Sequence, residues 1–152
     1  MNADLFISLH ANYGSNKNAS GIETFCLSPA LITSRPLGGI EYQSILPSCI
    51  SHEIAAESNQ LAQAVHRQSL LYAAKYNSAV VDRQVKYQVT QVLLCTMPSA
   101  LIELGFMSHA HEARLLADPE YQGALAQGIS QGIALYLTRK NVRQREGWQK
   151  ND

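Results

Sequence analysis

Short apolar runs alternate along this chain of 152 residues with longer segments in which apolar residues recur at helical spacing. The runs at residues 4–10, 21–27 and 100–106 are typical of buried strands. The periodic segments at residues 53–76 and 119–139 predict helices. Strands that alternate with helices favour an α/β fold, in which a mixed, mostly parallel sheet is flanked by helices. The length corresponds to one domain that can bury a core.

Smaller features complete the predicted order of elements. The run VLLC (92–95) predicts a further buried strand, and residues 110–116 predict a short helix. Ser51 is expected to cap the first long helix. Asp118 followed by Pro119 is typical of a helix start, and it predicts where the last helix begins.

Two segments lack a periodic pattern. Residues 28–52 contain three prolines and a Gly-Gly pair, which predict an irregular insertion rather than a packed element. Residues 141–152 form a polar tail. The folded domain is therefore expected to span residues 1–140.

The charge balance limits the class of partner. The chain has 12 basic and 12 acidic residues, so its net charge is zero when the histidines are neutral. This balance removes the electrostatic argument for nucleic acid or an anionic membrane as the main partner. The sequence also holds no apolar run of about 18 residues, so we predict no membrane span. Three cysteines without a CxxC pair support neither a zinc ribbon nor a redox site.

His10 ends the first predicted strand. In open α/β sheets, ligands bind just outside the carboxyl ends of strands. Histidine is also the commonest metal ligand. The residue is therefore either a metal ligand or a histidine whose ring is bonded to a loop carbonyl.

Glu103 interrupts the apolar run ALIELGF. A buried carboxylate costs several kcal/mol, or it holds a proton because its pKa is raised. A glutamate of this kind suits a general acid or base. The alternatives are a glutamate on the open face of an edge strand and a partner in a buried ion pair.

Other polar residues give weaker signals. His109 and His111 form an HxH pair on a predicted loop, which can bind a metal but more often binds nothing. Arg83 and Lys86 in DRQVK could bind an anionic group of a substrate or lie on a solvated turn. The segment HEIAAE (52–57) lacks the second histidine of an HExxH zinc site.

Four blocks of the sequence together resemble the zinc-dependent N-acetylmuramoyl-L-alanine amidases of the type-3 amidase family. They are ADLFISLHAN, ASGIETFCLS, DRQVK and MPSALIELGFMSHAHEARLL, in this order. The resemblance covers residues from about Ala3 to Leu137. It implies the phosphorylase/hydrolase-like α/β fold of these amidases. It also implies cleavage of the amide bond between N-acetylmuramic acid and the L-alanine of the stem peptide, in the peptidoglycan of the cell envelope, periplasmic or extracellular.

The resemblance further implies roles for single residues. His10 matches a histidine that binds zinc, and Glu103 matches the catalytic carboxylate. Asn12 in the same block as His10, together with Arg83, is a candidate for substrate binding. His109 stands where the family has an asparagine. Some family members carry a regulatory insertion, released by a division activator protein, at the position of residues 28–52.

The blocks that open the family fold have no counterpart in this sequence. They carry two further zinc ligands, so the chain supplies one of the three protein ligands that a catalytic zinc normally has. We therefore expect the C-terminal part of an amidase catalytic domain that lacks its first strands, with little bound zinc and no activity by itself. The segment DLFISLH is then expected to keep an unpaired edge. The alternative is a non-catalytic pseudo-amidase that binds peptidoglycan or a division partner.

Overall fold

The computed structural model describes residues 3–30 and 50–148 of the chain. Most of the predicted insertion at 28–52, and with it the predicted regulatory segment, lies outside the described residues. The elements in chain order are the strands β1 (Phe6–Asn12) and β2 (Ile22–Cys26), the helix α1 (His52–Ala73), the strand β3 (Asp82–Tyr87), a 3-10 turn (Gln91–Leu93), the strand β4 (Ser99–Phe106) and the helices α2 (Ala110–Leu116) and α3 (Pro119–Trp148).

The four strands form one mixed sheet in the order β1-β4-β2-β3. The pairs β1–β4 and β2–β3 are parallel, whereas β2 and β4 are antiparallel. The predicted α/β fold with a mixed, mostly parallel sheet is therefore confirmed.

β1 lies at an edge of this sheet, and of the described strands only β4 pairs with it. Its exposed residues include Phe6 at 38% and Leu9 at 57%. The prediction of a buried strand here was wrong, because no strand of the described residues lies on one side of β1. The expected unpaired edge is present. With α2 and α3, β1 lines an open apolar groove of about 640 Å³.

Two predictions in the middle of the chain were also wrong. The run VLLC is not a strand: Gln91–Leu93 forms a 3-10 turn, from which Leu93 is buried against Leu27 and Leu101. Its hydrophobicity serves that packing rather than a strand pairing. The third strand is instead Asp82–Tyr87, which includes the DRQVK segment.

The helix starts agree with the predicted caps, and the helix ends do not. Ser51 Oγ accepts the Ile54 N–H at 3.1 Å, and Asp118 Oδ1 accepts the Glu120 N–H at 2.8 Å. α1 ends at Ala73. α3 continues to Trp148, beyond the end predicted near Arg139. The prediction followed the apolar residues, whereas the helix also includes the polar residues after them. The division of the chain at residue 140 stays a prediction.

The core lies between α1 and one face of the sheet, with α3 packed on α1. Alternate residues of β2 and β4 point into it, because successive side chains of a strand point to opposite faces. Glu23 and Glu103 consequently lie on the other face. The buried core cluster consists of Ile22, Leu61, Ala64, Val65, Ala73, Ile102, Tyr121, Leu125, Ile129 and Tyr136. No helix in the described ranges is both long enough and apolar enough to cross a bilayer.

Candidate active site

Ionisable side chains form a row across the sheet. His10 on β1 is the register partner of Glu103 on β4. Glu103 is in turn the register partner of Glu23 on β2. The fold therefore brings His10 and Glu103, which are far apart in the sequence, onto adjacent strands.

Glu103 is half-buried on the inner strand β4. Its Oε2 atom is buried and has no hydrogen-bond partner among the described residues. Burial raises the pKa of this carboxyl group, the negative charge of Glu23 raises it further, and His10 acts in the opposite direction. Glu103 also forms no ion pair with a described residue. It is therefore neither a glutamate on the open face of an edge strand nor a partner in a buried ion pair. The arrangement gives a carboxyl group that takes up a proton more readily than an ordinary glutamate.

His10 is exposed at the carboxyl end of β1. One ring nitrogen, Nε2, lies 2.9 Å from Ser8 Oγ, so its partner is a hydroxyl and not a loop carbonyl. The other ring nitrogen can act as a metal donor. The described residues contain no group of three His, Cys, Asp or Glu side chains that could hold a metal ion. His10 thus fits zinc as a single donor, whereas this part of the chain does not form a three-donor site, and we derive no reaction step through zinc.

Glu23 is a site residue that the sequence analysis missed. It is 4% exposed, and Asn12 Nδ2 donates to its Oε1 at 2.7 Å. Arg83 Nε donates to its Oε2 at 3.0 Å, and Lys86 Nζ donates to the same oxygen. Burial acts to raise the pKa of Glu23, but the hydrogen bonds and charges of Lys86 and Arg83 outweigh it and lower the pKa. The argument used for Glu103 could have found this residue, because Glu23 also interrupts an apolar strand.

The structure places the remaining candidate residues as follows. Arg83 lies on β3 and pairs with Glu23, so the solvated-turn interpretation of DRQVK was wrong. His109 caps α2, where its Nδ1 accepts the Glu112 N–H at 3.4 Å. His111 is exposed. Neither of these two histidines belongs to a metal-binding group of the described residues.

The carboxylate of Glu112 connects β2 and β4, the strands that carry Glu23 and Glu103. It is 6% exposed on α2. Its Oε1 accepts the Gly21 N–H at 2.8 Å, and its Oε2 accepts the Phe106 N–H at 2.8 Å. Gly21 precedes β2 and Phe106 ends β4, so one carboxylate joins the start of one strand to the end of its antiparallel neighbour. The polar stretch around Glu112 gave no sign of this role.

We expect Glu112→Ala to lower the free energy of unfolding by about 2–4 kcal/mol. The substitution leaves two buried N–H groups without an acceptor, each at a cost of about 1–3 kcal/mol. Urea unfolding followed by circular dichroism measures the change. Glu120→Ala, on the exposed first turn of α3, is the matched control and is expected to cost less than about 1 kcal/mol. Equal midpoints for the two variants would contradict the role of Glu112.

Comparison with known sequences identifies relatives of the chain. A family model described as N-acetylmuramoyl-L-alanine amidase matches residues 1–135. An uncharacterized cell wall amidase of Bacillus anthracis is 34% identical over 138 residues, which are 90% of this chain and 22% of that protein. The N-acetylmuramoyl-L-alanine amidase LytC of Bacillus subtilis is 31% identical over 135 residues, which are 88% of this chain and 22% of LytC.

Two solved structures show the same fold. The catalytic domain of CwlV from Bacillus (Paenibacillus) polymyxa matches with a TM-score of 0.63 and 26% identity, over 90% of this chain and 59% of that one. The CwlD amidase of Clostridioides difficile, solved in complex with the GerS lipoprotein, matches with a TM-score of 0.65 and 27% identity, over 90% and 56%. The chain thus spans less than two thirds of the length of these relatives. It belongs to the N-acetylmuramoyl-L-alanine amidase family.

Proposed function

We propose that the chain is the part of a peptidoglycan amidase that supplies the catalytic carboxylate, Glu103. The reaction is hydrolysis of the amide bond between N-acetylmuramic acid and L-alanine, and it takes place in the cell envelope, on the periplasmic or extracellular side. The observation that carries the proposal is the buried, unpartnered Oε2 of Glu103 beside His10. Membership of the amidase family supports the choice of substrate.

Glu103 acts as the general base and then as the general acid. Its carboxylate takes a proton from the attacking water while the water oxygen bonds to the amide carbonyl carbon. It returns this proton to the nitrogen as the C–N bond breaks. The muramic acid keeps the new carboxyl group and the alanine leaves as an amine, which takes up the proton that the carboxyl group then releases. Burial raises the pKa of Glu103 above its usual value, which brings the pKa closer to neutral pH and favours the return of the proton to the leaving nitrogen. Asn12 and Arg83, which are joined through Glu23, contact the substrate.

His10 supplies one of the ligands of a zinc cofactor. A catalytic zinc normally has three protein ligands, so the other two come from outside the described residues. Partner proteins are a further part of the proposal, since one relative was solved with a lipoprotein bound. A division activator would be a partner of this kind.

Zinc content and amide cleavage test the proposal in two proteins. The chain alone is expected to hold well below one zinc per molecule and to release no peptide from purified peptidoglycan. A chimera, in which residues 3–137 replace the matching part of the CwlV catalytic domain, is expected to bind zinc and to expose new alanine amino groups. His10→Ala in the chimera should lower its zinc content.

A folded, zinc-loaded chimera that exposes no alanine amino groups would contradict the hydrolase. If that chimera still sediments with peptidoglycan, the result favours the non-catalytic pseudo-amidase instead. A chain that cleaves peptidoglycan by itself would contradict the expectation that the chain supplies only one of the three zinc ligands.

A further inference from the structure

Two cations share one carboxylate beside the candidate active site. Arg83 Nε and Lys86 Nζ both donate to Glu23 Oε2. A buried carboxylate needs one cationic partner to be compensated. The second cation is therefore surplus to Glu23, and this end of the row carries an excess of positive charge.

The guanidinium group of Arg83 is held in place through Nε and its planar face, while its two Nη groups remain available to a ligand. Nε is held by Glu23, and Cζ lies 5.0 Å from the centroid of the Phe106 ring. Neither Nη group donates a hydrogen bond to a residue in the part of the chain that the structure describes. A guanidinium held on two sides is preorganised for bidentate binding of a planar anion.

A ligand can reach both cations from solvent. The side chain of Arg83 is 34% exposed and that of Lys86 is 41% exposed, whereas Glu23 between them is 5% exposed. An incoming anion therefore meets the two cations before it meets Glu23.

We propose that Arg83 and Lys86 form a subsite that binds a carboxylate of the stem peptide, and that Glu23 is the positioning residue that holds both cations. The proposal rests on the proposed function for the identity of the peptide. The class of the ligand follows from the charge and from the free fork of Arg83. Neutral sugar hydroxyl groups would not require two cations.

The position of the subsite limits which carboxylate it binds. Adjacent strands lie about 4.8 Å apart, and one strand separates β4 from β3. Because Arg83 and Lys86 reach back to Glu23, their charged groups lie roughly 5–10 Å from Glu103. An extended peptide advances about 3.4 Å per residue. The bound carboxylate then belongs to one of the first three residues after the cleaved bond.

A pair of muramoyl tripeptides, which carry all three of these residues, tests the subsite. One has free carboxylates, and in the other all carboxylates are converted to carboxamides. We expect the isotope-labelled chain, titrated by NMR, to bind the free form at least 10-fold more tightly, because charge-assisted hydrogen bonds are lost in the other. Arg83→Gln and Lys86→Gln should each reduce the preference, to about 2-fold for Arg83→Gln. Arg67→Gln on the exposed part of α1 is the matched control and should keep the preference of the wild type.

Two changes at Glu23 separate positioning from charge. Glu23→Ala should reduce the preference although it removes a negative charge, because Arg83 loses its anchor. Glu23→Gln keeps an acceptor for Arg83 and should retain the preference. A preference that increases in Glu23→Ala would overturn the positioning role.

Equal binding of the two tripeptides to the wild type, or binding of neither, would overturn the subsite. So would an unchanged preference in folded Arg83→Gln and Lys86→Gln. These outcomes are independent of the proposed hydrolysis. If the chimera cleaves peptidoglycan but the chain shows no preference for carboxylates, only the subsite is contradicted. If the chain prefers carboxylates but the chimera does not cleave, only the proposed hydrolysis is contradicted.

Discussion

Glu103→Gln is expected to abolish amide cleavage by the chimera, with a loss of at least about 100-fold. Glutamine has nearly the same shape as glutamate, but it can neither accept a proton from water nor return it to the leaving amine. The zinc content should stay unchanged, because Glu103 is not proposed as a zinc donor. The measurement is the release of alanine amino groups from peptidoglycan. Normal cleavage by a zinc-loaded Glu103→Gln chimera would remove Glu103 from the mechanism.

The same substitution should make the folded chain more stable at neutral pH. Burial above all raises the pKa of Glu103 above its usual value of 4.5, so the ionised group costs the folded state free energy. Below about pH 4.5 both the folded and the unfolded state are protonated, and the cost disappears. It grows as the pH rises through the raised pKa. Glutamine removes this cost, so Glu103→Gln should gain stability near neutral pH and unfold at a higher urea concentration than the wild type.

Urea unfolding of the chain between about pH 4 and pH 8 checks this gain. Glu120→Gln, on the exposed first turn of α3, is the control and should show no comparable gain. A loss of both stability and cleavage in Glu103→Gln would assign Glu103 a structural role. A gain in stability together with lost cleavage is the pattern of a residue that is kept for its chemistry.

Residue chemistry singled out two of the three residues in the row, His10 and Glu103, whereas the apolar pattern did not predict how their strands are placed. His10 and Glu103 stood out because each is a polar group in an apolar run. Their pairing across β1 and β4 depends on strand register, which a pattern with a period of two does not fix for residues about 90 positions apart. β1 was taken for a buried strand because its composition is apolar. That composition instead serves an edge and an open groove.

β3 shows the opposite error. Its sequence is charged, and the sequence analysis left open whether it binds an anionic group or lies on a solvated turn, but predicted no strand. Three of its residues serve contacts that lie outside its own segment. Arg83 and Lys86 pair with Glu23, and Asp82 Oδ1 accepts a hydrogen bond from His66 Nε2 on α1 at 2.9 Å. An edge strand that supplies ion-pair partners lacks the alternating apolar pattern by which strands are recognised.

Glu112 could not be predicted for a different reason. One of the two N–H groups that it binds belongs to Gly21, which is 91 residues away in the sequence. A buried acceptor is recognisable only when the donors around it are known, and those donors are assembled by the fold. The connection between α2 and the start of β2 is thus a tertiary feature with no local signal.

Gly132→Ala is expected to lower the free energy of unfolding by about 3 kcal/mol or more, the upper end of the range for overpacking a core. α3 crosses α1 so closely at Gly132 that an added Cβ atom would lie 2.5 Å from Val65 Cα and 2.9 Å from Ala64 O. These are backbone atoms of a helix, so they cannot move aside as the end of a side chain can. The two helices would have to separate, and the core residues between them and the sheet would lose contact.

Gly123→Ala on the same helix is the matched control for Gly132→Ala. An added Cβ atom at Gly123 meets nothing within 4 Å. Alanine is the better helix former by about 1 kcal/mol, so this variant should be more stable than the wild type. Urea unfolding of the two variants measures the difference, and the gain in helix propensity cancels between them. If Gly132→Ala were also stabilising, the close packing of α3 on α1 at Gly132 would be contradicted. The stability of the sheet that carries Glu103 would then not depend on this helix crossing.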